Sequence, residues 1–344
     1  MSNQTKDTGR MDLGRCVQIL LAISLIVAAL YFARVVFEPI AFMLFGLALV
    51  WPFQKRLEGR FPKPVALGLT VLLTLLVIFV LAAAIVWSID DVVHWTIVNI
   101  GRFQLQYERW TQWLEGYGIF IAEGVGAYNA RSVVDVLRAI AAEANYFVGF
   151  CVVVFLLLTF GLTELDHFRA RLASMAPGIG ADISETATAI AGKIRTYMLI
   201  RTLASILTGV AVFLFTLSIG LELAIAWGII SFILNYIPYV GPLIAVVLPV
   251  AFASVQFESW QMVVGIFGGL YLIQTLIGNY LEPIMAGRAL SISPLVMLIA
   301  FFFWAFLWGI PGAFIGIPVT IAVLTVCERT PALSWLANLL SVGD

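Results

Sequence analysis

The chain has 344 residues, of which 62% are hydrophobic and 11% charged, and its mean hydropathy is +1.03. Because soluble globular chains are about 45–50% apolar and about 25% charged, this composition excludes a water-soluble fold and predicts an all-α polytopic protein of the lipid bilayer. A formal net charge of −1 offers no basic face to nucleic acid, and the scattered cysteines and histidines predict neither a metal nor another cofactor.

Apolar runs divide the chain into about six full or near-full spans and two longer blocks, since a bilayer core of about 30 Å needs about 20 apolar residues in a helix. Glu38-Pro39 is expected to end the first span, and a short apolar segment then leads back to a basic stretch. The predicted segments are a cytoplasmic N-terminus (1–15), three spans (16–87), an extracytoplasmic amphipathic helical segment (88–145), a fourth span (146–162), a cytoplasmic segment with an amphipathic helix (163–201), a span with a broken block (202–257), a second such pair (260–327) and a cytoplasmic tail (328–344).

The segment 88–145 carries a helical stripe of large side chains. It has seven acidic residues, four arginines and no lysine. The stripe, whose spacing alternates between four and three residues, consists of Phe103, Tyr107, Trp110, Leu114, Tyr117 and Ile121. Such a stripe is typical of a helix at the membrane interface, on a neighbouring subunit or on the protein's own spans. A similar stripe from Ile183 to Tyr197 predicts a helix that leads into the span at 202–219.

Lysine and arginine orient the spans by the positive-inside rule. Fourteen of the nineteen basic residues lie in the cytoplasm if both termini and the segments 53–64, 163–201 and 282–291 are placed there. The opposite side then keeps five arginines and no lysine. We therefore expect cytoplasmic N- and C-termini and an extracytoplasmic segment at 88–145.

Two apolar blocks, 223–257 and 292–327, are too long for one span, and each has a Pro/Gly break near its middle. The first break runs from Asn235 to Pro242, and the second begins at Gly309. Proline removes a helix donor and clashes with the preceding turn, so each block is predicted to be two helices joined by a bend. Re-entrant hairpins in inverted orientation, as in secondary transporters, and four short complete spans both satisfy the parity of the chain.

Residues at and near these breaks are the candidate substrate-binding residues, because polar groups inside a membrane are costly and therefore functional candidates. They are Asn235, Tyr236, Pro238, Tyr239, Gly241, Gln274, Asn279, Gly309, Pro311 and Gly312. For the two asparagines, the alternative to ligand binding is helix capping or interhelical hydrogen bonding. For the two tyrosines the alternative is packing. On an α-helix Gln274 and Asn279 share a face only approximately.

Four charged residues are candidates for coupling transport to H⁺ or Na⁺, namely Glu282, Glu222, Glu38 and Arg34. For Glu282 the alternative is an ion pair with Arg288 at the cytoplasmic edge of the membrane. Arg34 and Glu38 lie four residues apart, which predicts an interfacial pair on one helix face.

Three sequence blocks, taken in order, resemble a known family. They are Asn235-Tyr-Ile-Pro-Tyr-Val-Gly-Pro242, then Gly278-Asn-Tyr-Leu-Glu-Pro283 with Gly287-Arg-Ala-Leu-Ser-Ile-Ser-Pro294, and Gly309-Ile-Pro-Gly312 with Gly316-Ile-Pro318. These blocks are similar to those of the autoinducer-2 exporter (PerM-like permease) family, over essentially the whole chain. The resemblance implies a homo-oligomeric permease of the bacterial inner membrane that exports autoinducer-2 in some members, with sodium or lithium/proton antiport ascribed to others. Relatives often have a carboxylate near position 277, where this chain has Ile277.

The residues and the resemblance together predict a permease that moves a small polar solute, an autoinducer-2-like signal, out of the cell by alternating access. The paired breaks supply backbone groups, and Asn, Gln and Tyr side chains supply hydrogen bonds for a neutral hydroxylated ligand. The alternatives are a Na⁺(Li⁺)/H⁺ antiporter, a channel and a non-transporting membrane scaffold. An enzyme is not expected, because the sequence has no nucleophile–base arrangement, phosphate-binding loop or dinucleotide fingerprint.

Overall fold

The computed structural model describes residues 13–117, 130–175, 179–257, 259–286, 293–331 and 333–340, whose regular structure is entirely helical. The helices are α1 (Leu13–Phe32), α2 (Arg34–Glu58), α3 (Lys63–Val98), α4 (Ile100–Glu115), α5 (Ala130–Ala173), α6 (Ile179–Ser218), α7 (Ala224–Leu234), α8 (Val240–Gln256), α9 (Trp260–Thr275), a π-helix (Leu276–Leu281), α10 (Glu282–Ala286), α11 (Pro294–Arg329) and α12 (Ser334–Leu340). The prediction of an all-α fold is confirmed for these residues.

Six helical segments of the described chain are long and apolar enough to cross a membrane. They are Arg34–Glu58, Lys63–Val98, Gly149–Ala173, Gly180–Ser218, Trp260–Met285 and Pro294–Arg329. Many of the large apolar side chains on these segments are exposed. A surface of this kind is stable when lipid covers it, so the chain is a multi-pass membrane protein.

The first helix break lies earlier in the chain than predicted. α1 ends at Phe32 and α2 begins at Arg34, so the prediction that Glu38-Pro39 ends the first helix is wrong. Pro39 lies within the first two turns of α2, where its missing N–H removes only one backbone hydrogen bond. α2 then continues to Glu58.

Helix α6 is one long helix that contributes residues to two core clusters. Its 40 residues span about 60 Å at about 1.5 Å per residue, and they unite the predicted cytoplasmic helix with the following span. The expectation that a helix leads into the span at 202–219 is therefore confirmed. One core cluster packs Ile194 and Tyr197 of α6 against α11, and a second packs Val212 of α6 against α7, α8 and α9.

The first apolar block folds back on itself. A bend at 235–239 joins α7 to α8. At the other end of this pair, the Gln256 side chain donates to the carbonyl of Gly220 (2.8 Å) and accepts from the backbone N–H of Glu222 (2.9 Å). Between these ends, the rings of Trp227 and Phe252 meet edge to face at 5.2 Å. We call α7 and α8 the first hairpin and residues 235–239 its tip.

The second apolar block also folds back. Gly309 has φ 66° and ψ −140°, a conformation that favours glycine, and it divides α11 into two arms. Trp304 in the first arm donates to the Thr320 hydroxyl in the second arm at 3.1 Å. In a straight helix these residues would be about 24 Å apart. We call α11 the second hairpin and residues 309–312 its tip.

The bend in the second hairpin comes from glycine and not from proline. Pro311 lies in the first turn of the second arm, where a proline is tolerated because its N–H is not needed. The non-helical dihedral angles belong to Gly309. The predicted bend is present, and the expected role of Pro311 in causing it is corrected.

The open ends of the two hairpins lie near different parts of α6. Glu222, at the open end of the first hairpin, follows the C-terminus of α6. At the open end of the second hairpin, Glu328 pairs with Lys193 at 2.6 Å and Arg329 pairs with Glu185 at 3.0 Å, both in the N-terminal half of α6. The orientation of the hairpins relative to a membrane stays a prediction.

The predicted extracytoplasmic segment is helical where it is described. It comprises the end of α3, α4 and the start of α5. Phe103 of the stripe packs edge to face against Trp95 of α3 at 6.1 Å, which favours packing on the protein's own spans. Tyr117 is 70% exposed. The other members of the stripe, Tyr107, Trp110, Leu114 and Ile121, lie outside the described side chains.

Candidate functional site

An ion pair between Arg201 and Glu282 joins α6 to the segment that follows the π-helix. Nη1 of Arg201 donates to both carboxylate oxygens of Glu282, at 2.6 and 2.7 Å. The side chains are 9% and 22% exposed, respectively. Charges buried to this degree in a membrane protein are costly unless they are paired. The pair therefore marks a place where polar chemistry is retained between the helices.

The described partner of Glu282 is Arg201, and the alternative pair with Arg288 stays a prediction. Arg288 lies outside the described residues. Arg288 is the neighbour along the chain, whereas the packing of α6 against the π-helix and α10 brings Arg201 to the carboxylate. Nε of Arg201 is buried and has no hydrogen-bond partner in the described part of the chain. Tyr197, one turn earlier on α6, is buried.

The tip of the first hairpin is hydrogen-bonded to the same stretch of α6. Asn235, which is 4% exposed, donates through Nδ2 to the hydroxyl of Ser205 at 3.1 Å. The hydroxyl of Tyr236 donates to that of Thr202 at 3.0 Å. For Asn235 the structure shows the interhelical alternative, and Tyr236 is more than a packing aromatic. These side chains, with the ion pair, form a polar site between the tip and α6.

The first tip contacts the second hairpin through an aromatic pair. The rings of Tyr236 and Phe314 lie 5.5 Å apart, centroid to centroid. Phe314 lies two residues after the tip of the second hairpin and also stacks on Phe42 of α2 at 6.2 Å. A displacement of the first tip would therefore change the packing of the second hairpin and of α2.

Tyr239 gives the first tip a strained backbone. Its φ of 62° and ψ of −53°, with a hydrogen bond from Val240 N–H to the Pro238 carbonyl at 2.7 Å, form the rare positive-φ γ-turn. The Tyr239 hydroxyl donates to the carbonyl of Pro294 at 3.3 Å. A Cβ on Gly241 would lie 1.8 Å from the carbonyl oxygen of residue 234, so this position requires glycine.

The tip of the second hairpin is closed by glycine contacts and indole rings. A Cβ on Gly312 would lie 2.0 Å from the carbonyl oxygen of Trp304. The rings of Trp304 and Trp308 lie 4.9 Å apart, and Trp308 donates through Nε1 to the carbonyl of Leu30 at 3.1 Å. The candidate residues Gly309, Pro311 and Gly312 thus shape a tip whose described side chains are mainly apolar.

The structure separates Gln274 from Asn279. Gln274 is 9% exposed and its amide nitrogen has no described hydrogen-bond partner, whereas Asn279 is exposed. Asn279 lies in the π-helix, whose wider turn changes the angle between successive side chains. The α-helical spacing used for the prediction does not hold through this segment.

The four coupling candidates do not form one cluster. Glu222 follows the C-terminus of α6, where it accepts a hydrogen bond from Trp95 Nε1, whereas Glu282 pairs with Arg201 near the middle of that helix. Glu38 is 1% exposed and Arg34 is exposed. Their predicted ion pair stays a prediction.

Sequence analysis missed three residues of this site on α6, namely Arg201, Thr202 and Ser205. The segment boundary drawn at 201 assigned the arginine to the cytoplasm as one of many basic residues. A signal was present, because Arg201, Ser205 and Thr208 are spaced by four and three residues and share one helix face.

Known proteins resemble this chain over most of its length. The AI-2E family transporter description matches residues 20–332. A candidate transport protein of Borreliella burgdorferi is 37% identical over 199 residues, 56% of this chain and 54% of that one. Another from Haemophilus influenzae is 31% identical over 201 residues, 58% of this chain and 56% of that one. The AI-2 transport protein TqsA of Escherichia coli K12 is 23% identical over 320 residues, 92% of each chain.

The extent of these matches differs. This chain spans about half the length of the Borreliella and Haemophilus relatives and nearly all of TqsA. The family is one of transport proteins and not of enzymes. Since the family match covers residues 20–332, the resemblance inferred from the three sequence blocks is confirmed, and the chain belongs to the AI-2E transporter family.

Proposed function

We propose that this protein is a permease that moves a small polar solute, an autoinducer-2-like signal, out of the cell by alternating access. The observation that carries the proposal is the polar site, where Asn235 and Tyr236 at a helix break are bonded to Ser205 and Thr202 beside a buried ion pair. A neutral hydroxylated molecule could take over these hydrogen bonds when the tip moves away from α6. The name of the Escherichia coli relative supports this class of solute.

In this mechanism the two hairpins and the spans that precede them move against a scaffold of the first four spans. The first hairpin opens toward the extracytoplasmic side, the second opens toward the cytoplasm, and both termini are cytoplasmic. The contact between Tyr236 and Phe314 is where the hairpins would transmit motion to each other. The protein acts as a homo-oligomer in the bacterial inner membrane.

Counterflow in proteoliposomes tests the transport proposal. Labelled autoinducer-2 should enter vesicles preloaded with unlabelled autoinducer-2 in a saturable manner, and Asn235→Ala should lower this flux. Asn99→Ala is the control, because the Asn99 amide bonds to the Trp95 carbonyl within its own helix end, away from the polar site. Flux that rises linearly with concentration would indicate a channel. The absence of flux for autoinducer-2 and for simple polyols would favour a scaffold.

If transport is ion-coupled, Glu282 is the candidate best placed to take part, because its carboxylate borders the polar site. Glu282→Gln removes the negative charge and keeps the shape of the side chain. In everted vesicles this variant should lose the dependence of flux on an H⁺ or Na⁺ gradient. An unchanged dependence would exclude Glu282 as the coupling residue.

A further inference from the structure

Three buried polar side chains on α6, α7 and α9 have no hydrogen-bond partner among the described residues. They are Thr208 through Oγ1, Ser231 through Oγ and Gln274 through Nε2. Thr208 and Ser231 are 0% exposed and Gln274 is 9% exposed. We call these three residues the unpaired cluster.

Several other buried hydroxyls in the described helices are satisfied by their own helix. Those of Thr70, Ser88 and Thr216 each donate to the carbonyl four residues earlier at 2.8 Å. This local bond is the usual solution for a serine or threonine within a helix. Thr208 and Ser231 depart from it, so their hydroxyl groups are available to another molecule.

The contacts between α6 and α7 place Ser231 at the level of Thr208. Gly209 and Gly228 lie back to back, since a Cβ on either would come within 2.9 Å of the other's carbonyl oxygen. α7 runs antiparallel to α6 from this contact to the hydrogen bond at the first tip. Ser231 follows Gly228 by three residues and lies on the face of α7 toward α6. Thr208 precedes Gly209 by one residue.

The contacts between α6 and α9 place Gln274 at the same level. The Phe215 ring covers Gly269 so closely that a Cβ there would lie 2.2 Å from it. Thr208 lies about two helical turns before Phe215 and about two turns after Arg201, so all three residues share one face of α6. The partners of these two residues are Gly269, which contacts Phe215, and Glu282, which pairs with Arg201. Gln274 lies between Gly269 and Glu282 along the chain, on the buried face of α9.

We infer that the unpaired cluster is a ligand subsite between α6, α7 and α9 that binds an uncharged molecule through its oxygen atoms. The two hydroxyls can donate or accept, and the amide N–H can only donate, so the group requires acceptor oxygens. Each buried group that lacks a partner destabilises the empty protein, and a bound oxygen removes that penalty. A metal cation or an ammonium offers no acceptor to the amide, and the three neutral side chains supply no positive charge to pair with a buried anion. The inference rests on the proposed function and names a second place where the solute would bind.

Paired variants of the full-length protein in detergent test this subsite. The cluster variants are Thr208→Val, Ser231→Ala and Gln274→Leu. The matched controls are Thr216→Val and Ser88→Ala, whose hydroxyls are equally buried but bonded to their own helix. Loss of an unpaired hydroxyl should raise the melting temperature of the ligand-free protein, whereas loss of a bonded one should not.

Binding is the second measurement, with autoinducer-2, ribose and glycerol as uncharged probes and Na⁺ and Li⁺ as cations. The affinity for the uncharged probe that stabilises the wild type should fall about tenfold in each cluster variant, as expected for about 1.4 kcal/mol, and should be unchanged in the controls. Thr208→Ser keeps the hydroxyl and should keep the affinity, which separates loss of the hydroxyl from disturbed packing.

The outcomes separate the subsite from the transport proposal. Wild-type affinity in the cluster variants, or a stabilisation by Na⁺ or Li⁺ that these variants lose, overturns the subsite. Binding that depends on the cluster without flux in proteoliposomes overturns the transport proposal and leaves the subsite standing. A wild-type protein that none of the probes stabilises overturns both.

Discussion

The two hairpins share one sequence pattern, an apolar arm, a Pro/Gly break and a second apolar arm, but their tips are held in different ways. The first tip is held by side-chain hydrogen bonds from Asn235 and Tyr236 to α6. The second tip is held by the close approach of Gly312 to Trp304 and by an indole hydrogen bond to the backbone of α1. The Pro/Gly break determines where each hairpin bends, and the residues that contact the tip determine whether it is held by polar or apolar contacts.

The two hairpins are buried to a similar extent, so the contrast lies in how their tips are held. Of the 36 residues of α11, 15 are buried, and of the 11 residues of α7 and the 17 of α8, 5 and 6 are buried. A close backbone approach such as that of Gly312 to Trp304 resists rearrangement, whereas a tip held by a few interhelical hydrogen bonds can exchange them for bonds to a ligand. We therefore expect changes at the first tip to alter flux and changes at the second tip to alter stability.

The largest expected effect comes from breaking the ion pair beside the first tip. Arg201→Leu leaves the Glu282 carboxylate poorly solvated, and the free energy of unfolding should fall by about 2–4 kcal/mol, less than for a fully buried pair because that side chain is 22% exposed. Chemical unfolding in detergent measures the loss. Lys193→Met, which breaks the more exposed pair with Glu328, should lower it by about 1 kcal/mol or less. Equal losses in the two variants would show that the buried pair has no special role.

The next effect concerns the glycine that closes the second tip. Gly312→Ala places a Cβ against a backbone carbonyl, and the free energy of unfolding should fall by about 1–3 kcal/mol because the arms must separate. Gly268→Ala is the control, because nothing lies within 4 Å of the new Cβ in the middle of α9, and it should be neutral or slightly stabilising. A stable Gly312→Ala protein would mean that the second hairpin is as adaptable as the first.

Removing one hydrogen bond at each tip tests whether the first tip controls flux and the second tip controls stability. Trp308→Phe removes the indole donor to the Leu30 carbonyl, and Asn235→Ala removes the donor to Ser205. Each should lower the free energy of unfolding by about 1–3 kcal/mol, since a buried acceptor loses its partner. Flux per folded protein should fall only in Asn235→Ala. The reverse pattern would place the functional tip in the second hairpin.

Much of the architecture could be predicted from the sequence, because apolar length and Pro/Gly breaks are local properties. They predicted the helical fold and both bends. The helix break near Ala33 was placed wrongly, because a proline in the early turns of a helix reads like a terminator although it breaks only one hydrogen bond. The Pro/Gly pattern does not distinguish Gly309 from its neighbours, because a positive φ cannot be read from residue type alone.

The polar site was predicted only on one side. The tip residues stand out because polar groups interrupt an apolar run, and so Asn235 and Tyr236 were found. Their partners on α6 are far away in the sequence, and only the packing of helices brings Arg201 to Glu282, 81 residues later. The unpaired hydroxyls of Thr208 and Ser231 could not be predicted, because any helical serine or threonine can bond to its own backbone.

The smallest effect on stability, and the sharpest test of the first tip, concerns Tyr239. Tyr239→Gly relieves a positive φ worth about 1–3 kcal/mol, but it also removes the hydroxyl contact to Pro294 and adds chain entropy of about 0.5–1 kcal/mol to the unfolded state. The free energy of unfolding should therefore change by less than about 1 kcal/mol, whereas flux should fall several-fold because the turn no longer fixes the tip.

Leu223→Gly is the matched control for this variant. Leu223 also has a positive φ, 61°, but it lies at the open end of the same hairpin, away from the polar site. Unfolding in detergent and counterflow in proteoliposomes should show relieved strain without loss of flux. If both variants lost flux equally, the strained turn at the tip would matter only as part of a rigid hairpin, and the contrast between the two tips would rest on their hydrogen bonds alone.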